Sequence, residues 1–152
     1  MKALFVDTAG WMACADAADP MHARCCAARD RALESGQPLV TTDYVADETL
    51  TLVRRRLGLP AAEAWWLQVD RSVRLRWERV DSDRFEKARR LFSQYRDKQF
   101  SFTDCTSFAV MRDLRLTDAL TTDRHFSQAG FQVVPAARTR MRPTGRRRSD
   151  AD

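Results

Sequence analysis

Four short apolar runs and one run that alternates apolar and polar residues, spaced along the chain and separated by longer amphipathic stretches, limit what this sequence can fold into. They are residues 2–6 (KALFV), 38–41 (PLVT), 75–80 (LRWERV), 119–122 (ALTT) and 131–134 (FQVV). Runs of this length read as strands, and the stretches between them as helices. A crossover of a dozen or more residues holding a helix pairs its flanking strands in parallel. The expectation is an α/β fold, a three-layer α/β/α domain around a mostly parallel sheet, occupying residues 1–135. In such sheets ligands bind beyond the carboxyl ends of the strands.

Local signals set the helices between these strands. A helix over 19–35 opens at Asp19 with Pro20 in its first turn and closes at Gly36. Another covers 43–57 and stops at Gly58, and Pro60 opens the next, which carries Trp65 and Trp66. Residues 81–96 form a charged amphipathic helix with Phe85, Ala88, Leu91, Phe92 and Tyr95 on its buried stripe, and 103–114 form a more apolar one. One further helix starts near Thr8.

Composition narrows the function. At 152 residues there is room for one core and one site. No apolar run approaches the ~18 residues of a membrane span, and MKALFVD turns acidic before a signal-peptide core forms, so a cytoplasmic protein is expected. The net charge of +5 is uneven. Residues 136–152 carry Arg138, Arg140, Arg142, Arg146, Arg147 and Arg148 against Asp150 and Asp152, leaving the body almost neutral. Arginine presents a fork suited to phosphate, which makes nucleic acid a reasonable partner and the tail a weak nucleic-acid-binding arm, flexible by composition. Cys14, Cys25, Cys26 and Cys105 lack zinc-ligand spacing and read as small hydrophobes. His22, Cys25 and Cys26 fall on one helix face but sit among Ala and Arg, so no metal is assigned there.

Four acids stand in places that packing alone does not explain. Asp7 and Asp123 each stand at the carboxyl end of an apolar strand, and both could simply cap the following helix. Glu48 has Tyr44, Val45 and Leu52 as its helical neighbours, within an apolar stripe where an unpaired carboxylate is costly; a buried pair with an Arg is the plain alternative. Asp104 lies in a first helical turn, where the dipole favours it, yet Phe108 and Met111 follow on its own face beside Ser107. If the four converge, their repulsion demands a counter-charge, and no Lys or His is expected among them. A hard divalent cation with oxygen ligands resolves this, Mg²⁺ or Mn²⁺ rather than zinc. Such a site displaces a phosphodiester in line.

The segments FVDTAGW at Asp7, VADETLTLVRRR at Glu48, SFTDCTSFAVMRD at Asp104 and LTTDRHFSQAGF at Asp123 occur together, in this order, in a chain that resembles the PIN-domain ribonucleases. The likeness is strongest to the VapC-type toxins of toxin–antitoxin pairs and spans residues 1–134. The resemblance implies metal ligation by Asp7 and Asp104, with Asp123 a direct or water-mediated ligand and Glu48 orienting the attacking water. Thr8 and Thr122 match hydroxyl positions flanking the site. It further implies Mg²⁺-dependent endonucleolysis of RNA, with Mn²⁺ as substitute, leaving 5′-phosphate and 3′-hydroxyl ends, together with homodimerisation and inhibition by a small antitoxin protein. Many members carry Thr-Ser after the first acid where this chain has Thr8-Ala9. Trp65, Trp66 and Leu67 on one helix give dimerisation weak support of their own, because adjacent Trp side chains diverge by about 100°.

Other functions fare less well. A PIN domain acting in RNA processing, or as an RNA-binding module without an antitoxin, shares all of these segments. A haloacid-dehalogenase-type phosphatase needs a second Asp two residues after the first, where this chain has Ala9. A dinucleotide enzyme needs G-x-G-x-x-G, and the turn after the first strand offers only Gly10.

Overall fold

The computed structural model describes residues 1–137. Its elements run in the order β1 (Leu4–Val6), α1 (Thr8–Ala15), α2 (His22–Glu34), β2 (Leu39–Thr42), α3 (Asp43–Leu57), α4 (Leu59–Arg71), β3 (Leu75–Glu78), α5 (Ser82–Gln94), α6 (Phe102–Asp113), β4 (Asp118–Leu120), α7 (His125–Gln128) and β5 (Gln132–Val134). All four strand pairings are parallel, in the order β3-β2-β1-β4-β5. The chain moves outward from β1 through β2 to β3, then returns to the other side of β1 for β4 and β5. The direction therefore reverses between β1 and β4, and a crevice opens there at the strands' carboxyl ends. Asp7 directly follows β1, and Asp123 lies just beyond β4.

The sheet is short and apolar because both of its faces are covered. Every residue of β1 and β2 is buried, and Phe5, Phe108, Phe126, Met111 and Leu120 are the largest wholly buried side chains. Phe108 links the aromatic part of the core, meeting Phe100 and Phe126 edge-on at 5.0 Å each. Its α6 is buried along most of its length, which explains the apolar character of that helix. Gly10 sets how closely α1 approaches the sheet: a Cβ there would stand 2.2 Å from the Leu120 carbonyl oxygen.

Several expectations shift in detail. The 19–35 helix begins only at His22, because Asp19 instead closes a turn, accepting the Met21 N–H at 2.7 Å and, through its carbonyl, that of His22 at 2.9 Å. The third strand stops at Glu78, and Asp81 caps α5 by accepting the Arg84 N–H at 2.9 Å. On α5 Ala88 and Leu91 are buried, but Phe85 and Phe92 are 36% and 51% exposed. These two rings flank Phe102 at 5.1 and 6.0 Å instead of entering the core. The helix after Asp123 is the single turn α7, and its N-cap position is Arg124 rather than Asp123. Arg138, Arg140, Arg142, Arg146, Arg147 and Arg148 lie outside the described residues.

Candidate active site

Asp7 occupies the N-cap position of α1 but does not cap it. Its carboxylate turns across the crevice and accepts a hydrogen bond from Thr121 Oγ1 at 2.9 Å. The same Thr121 oxygen accepts the Asp123 backbone N–H at 3.0 Å, so one buried hydroxyl ties together the two strand-end acids. Asp7 is 4% exposed. Burial pushes its carboxyl up to about 7; the Thr121 hydrogen bond opposes this, and the charges of Asp104 and Asp123 add to it.

Asp104 reaches the same place from α6. Ser101 and Asp104 form a reciprocal capping box, the Ser101 hydroxyl accepting the Asp104 N–H and Asp104 Oδ2 accepting the Ser101 N–H, each at 3.0 Å. The dipole and cap reading of Asp104 is thus part of its role. The same Oδ2 also lies 3.1 Å from His125 Nδ1. Burial raises the Asp104 carboxyl above its ordinary value; the Ser101 N–H and His125 work against this, and the Asp123 charge adds to it.

Asp123 holds the loop before α7, its Oδ1 accepting the His125 N–H at 2.9 Å. That oxygen is 3.2 Å from His125 Nδ1, so the imidazole stands between two carboxylates. One ligand atom each from Asp104, Asp123 and His125 lies within 4.8 Å of the others. Phe100 braces the ring edge-on at 5.5 Å. The expectation that no His accompanies the acids is therefore wrong. His125 stands two residues after Asp123, and that spacing was the signal available in the sequence: an Asx turn folds residue i+2 back over the carboxylate.

One expected hydroxyl lies elsewhere than the sequence implied. Thr122 is exposed, and Thr121 provides the hydroxyl on Asp7. The strand ends at Leu120, not at Thr122, and neighbouring residues of extended chain point in opposite directions. Glu48 is half-buried on α3 and, among the described residues, makes neither a hydrogen bond nor an ion pair, so the Arg partner is not found. Thr8 is buried and faces α3, its hydroxyl 3.5 Å from both the Val45 carbonyl and the Thr49 hydroxyl. Ser107, one turn beyond Asp104, is wholly buried with an unpartnered hydroxyl.

The donor set fits a divalent cation. Three carboxylates, two of them with raised values because they are desolvated and repel, gain from a positive charge placed among them. Carboxylate oxygens, which dominate the set, suit Mg²⁺ or Mn²⁺.

Comparison with known proteins identifies the family and the fold. The sequence pattern of the PIN domain matches residues 4–132. The chain is 38% identical over 132 residues to the 23S rRNA-specific endonuclease VapC20 of Mycobacterium tuberculosis, covering 86% of this chain and 97% of that protein. It is 30% identical over 141 residues to ribonuclease VapC26 of the same species, covering 87% and 100%. The crystal structure of VapC20, described as a Sarcin-Ricin loop cleaving toxin, superposes with a TM-score of 0.75 at 37% identity over 85% of this chain and 96% of that one. FitAcB from Neisseria gonorrhoeae, at 16% identity and a TM-score of 0.57 over 88% and 96%, shares the fold. With its acids at the β1–β4 crevice and this extent of similarity along its length, the chain belongs to the PIN-domain family.

Proposed function

We propose that this protein is a divalent-metal-dependent endoribonuclease and the toxin of a toxin–antitoxin pair. The observation that carries the reading is the convergence of Asp104, Asp123 and His125 ligand atoms within 4.8 Å, beside a buried Asp7 whose carboxyl is held near 7. Among the described residues no Lys or Arg side chain pairs with Asp7, Asp104 or Asp123. Asp104, Asp123 and His125, with Asp7 beside them, would hold the cation, Mg²⁺ with Mn²⁺ as substitute. When bound, it neutralises the scissile phosphate and lowers the pKa of the attacking water.

The chain's own groups do the rest. Thr121 fixes the Asp7 carboxylate and the Asp123 backbone in one geometry. Ser101 holds the Asp104 carboxylate from the backbone. Glu48, half-buried and unpaired among the described residues, is available to orient water on the α3 side. In-line displacement leaves 5′-phosphate and 3′-hydroxyl ends. Ribosomal RNA is the first substrate to test, given what VapC20 cleaves. We place the protein in the cytoplasm, as a homodimer held in check by a small antitoxin. The Arg-rich residues 136–152 serve as a basic arm that strengthens RNA binding without reading sequence.

Inducible expression with RNA-end mapping tests this reading. Growth should arrest, and new 5′-phosphate ends should appear at one or a few positions. Co-expression of a small protein encoded beside it should restore growth. Unimpaired growth with an unchanged RNA-end profile would overturn the toxin assignment.

A further inference from the structure

A second cavity begins one residue from the acids. Thr121 belongs to the crevice, and with Thr122 and Arg124 it also lines a pocket of about 750 Å³ that continues between the start of α2 and β5. Met21 and Val133 supply apolar wall, while Arg24, Arg124 and Gln132 supply donors. Arg24 also donates to the Ala136 carbonyl, which fastens the segment after β5 across one side. The described lining residues include two guanidinium groups and no carboxylate, in direct contrast to the acid crevice next door. The volume lies in the range of small-molecule sites.

We propose that this cavity binds one unstacked nucleotide of the RNA, the neighbour of the scissile phosphodiester, with its base against Met21 and Val133 and its phosphate toward Arg24 and Arg124. The inference rests on the nuclease reading above. Three features favour this occupant. The cavity adjoins the acid crevice, because Thr121, which bonds Asp7, and Thr122, which precedes Asp123, both line it. Its charge is opposite to that of the crevice, as a backbone phosphate requires once a cation has engaged the preceding one. Its apolar wall and guanidinium planes suit the flat face of a base, the usual means of gripping unpaired RNA. Exposed Thr122 lines this cavity, whereas Thr121 bonds Asp7. Arg124, Thr122 and Gln132 thus select the substrate and take no part in bond breaking.

The test is a cycle of one protein change against one RNA change. Gln132→Trp fills the cavity from an exposed strand position where an aromatic residue is well tolerated. Arg124→Ala removes an exposed cation. RNAs carrying an abasic ribose on either side of the mapped cleavage site remove the base. Loss of a stacked base should lower the parent's kcat/KM by about 10- to 100-fold at one of the two positions. Gln132→Trp should lower it similarly on intact RNA and add little on the abasic RNA; Arg124→Ala should weaken both RNAs and reduce salt dependence. Losses that multiply independently would overturn the proposal. So would variants that handle RNA as the parent does but fail to bind the antitoxin, since the cavity would then hold protein. The same cycle read as binding to Asp7→Asn protein separates the two readings. A parent that cleaves no RNA fails as a nuclease; with the abasic position then scanned along a single-stranded RNA that it binds, coupled losses in binding still support the cavity and independent ones reject it.

Discussion

Replacing Asp7 by Asn should stabilise the metal-free protein while abolishing its activity. Each pH unit separating folded and unfolded pKa values corresponds to ~1.4 kcal/mol. A carboxyl held at about 7 against an ordinary 3.8 therefore weakens the ionised fold by about 4 kcal/mol. The sign follows from proton binding. Between pH 4 and pH 7 the folded chain keeps a proton that the unfolded chain has lost, so stability falls as pH rises through that window and then levels off. Asp104, also raised by burial, adds a slope of the same sign. Asn keeps the shape and can still accept the Thr121 hydrogen bond but cannot ionise. In EDTA at pH 8, Asp7→Asn should melt roughly 10 °C above the parent, at about 2–4 °C per kcal/mol for a chain of this length. The difference should shrink toward pH 4. Excess Mg²⁺ at a hundred times its dissociation constant should return ~2.7 kcal/mol to the parent and almost none to the variant. Melting curves from pH 4 to 8.5, with and without metal, provide the assay. A variant less stable than the parent at pH 8, or parallel pH profiles, would refute the reasoning.

Other consequences follow from the packing and charge. Gly10→Ala drives a methyl into the Leu120 carbonyl, 2.2 Å from the ideal Cβ; urea unfolding should show a loss of about 1–3 kcal/mol, outweighing the ~1 kcal/mol gain in helix propensity. Deleting residues 138–152 removes six Arg against two Asp, so RNA affinity should fall and its salt dependence flatten, with cleavage positions unchanged; this cut spares Ala136, which Arg24 holds. Trp65 is 3% exposed and packs edge-on against Trp11 at 5.5 Å, whereas Trp66 and Leu67 are 44% and 48% exposed. Light scattering should give a dimer at micromolar concentration and Trp66→Glu should shift it toward monomer; a monomeric parent would remove dimerisation from the account.

Much of this fold is legible in the sequence because its strands are short, its central strands are buried and apolar, and well-punctuated helices separate them. Gly36 and Gly58 take positive φ at the helix ends they were expected to mark. What sequence could not supply came from single-residue geometry. Whether Thr121 or Thr122 faces Asp7 depends on the geometry just past the end of β4 at Leu120, where neighbouring residues point in opposite directions. His125 escaped notice because its partner Asp104 is 21 residues away and is reached only through tertiary structure. Phe85 and Phe92 match a buried stripe by period, yet Phe102 receives them at the surface, a tertiary outcome that periodicity does not encode. Of the four acids, Asp7, Asp104 and Asp123 electrostatically influence one another, while the helical spacing that marked Glu48 leaves its side chain without a partner among the described residues.

The central claim, that these acids form one cation site that cleaves RNA, is tested most directly with purified protein and ribosomal RNA in Mg²⁺ or Mn²⁺, with EDTA as control. The parent should cut at discrete positions leaving 5′-phosphate ends, EDTA should stop it, and Asp7→Asn and Asp104→Asn should each fall by at least ~100-fold, as expected when a metal-activated step is lost. Undiminished cleavage by both variants, or by the parent in EDTA, would contradict the account.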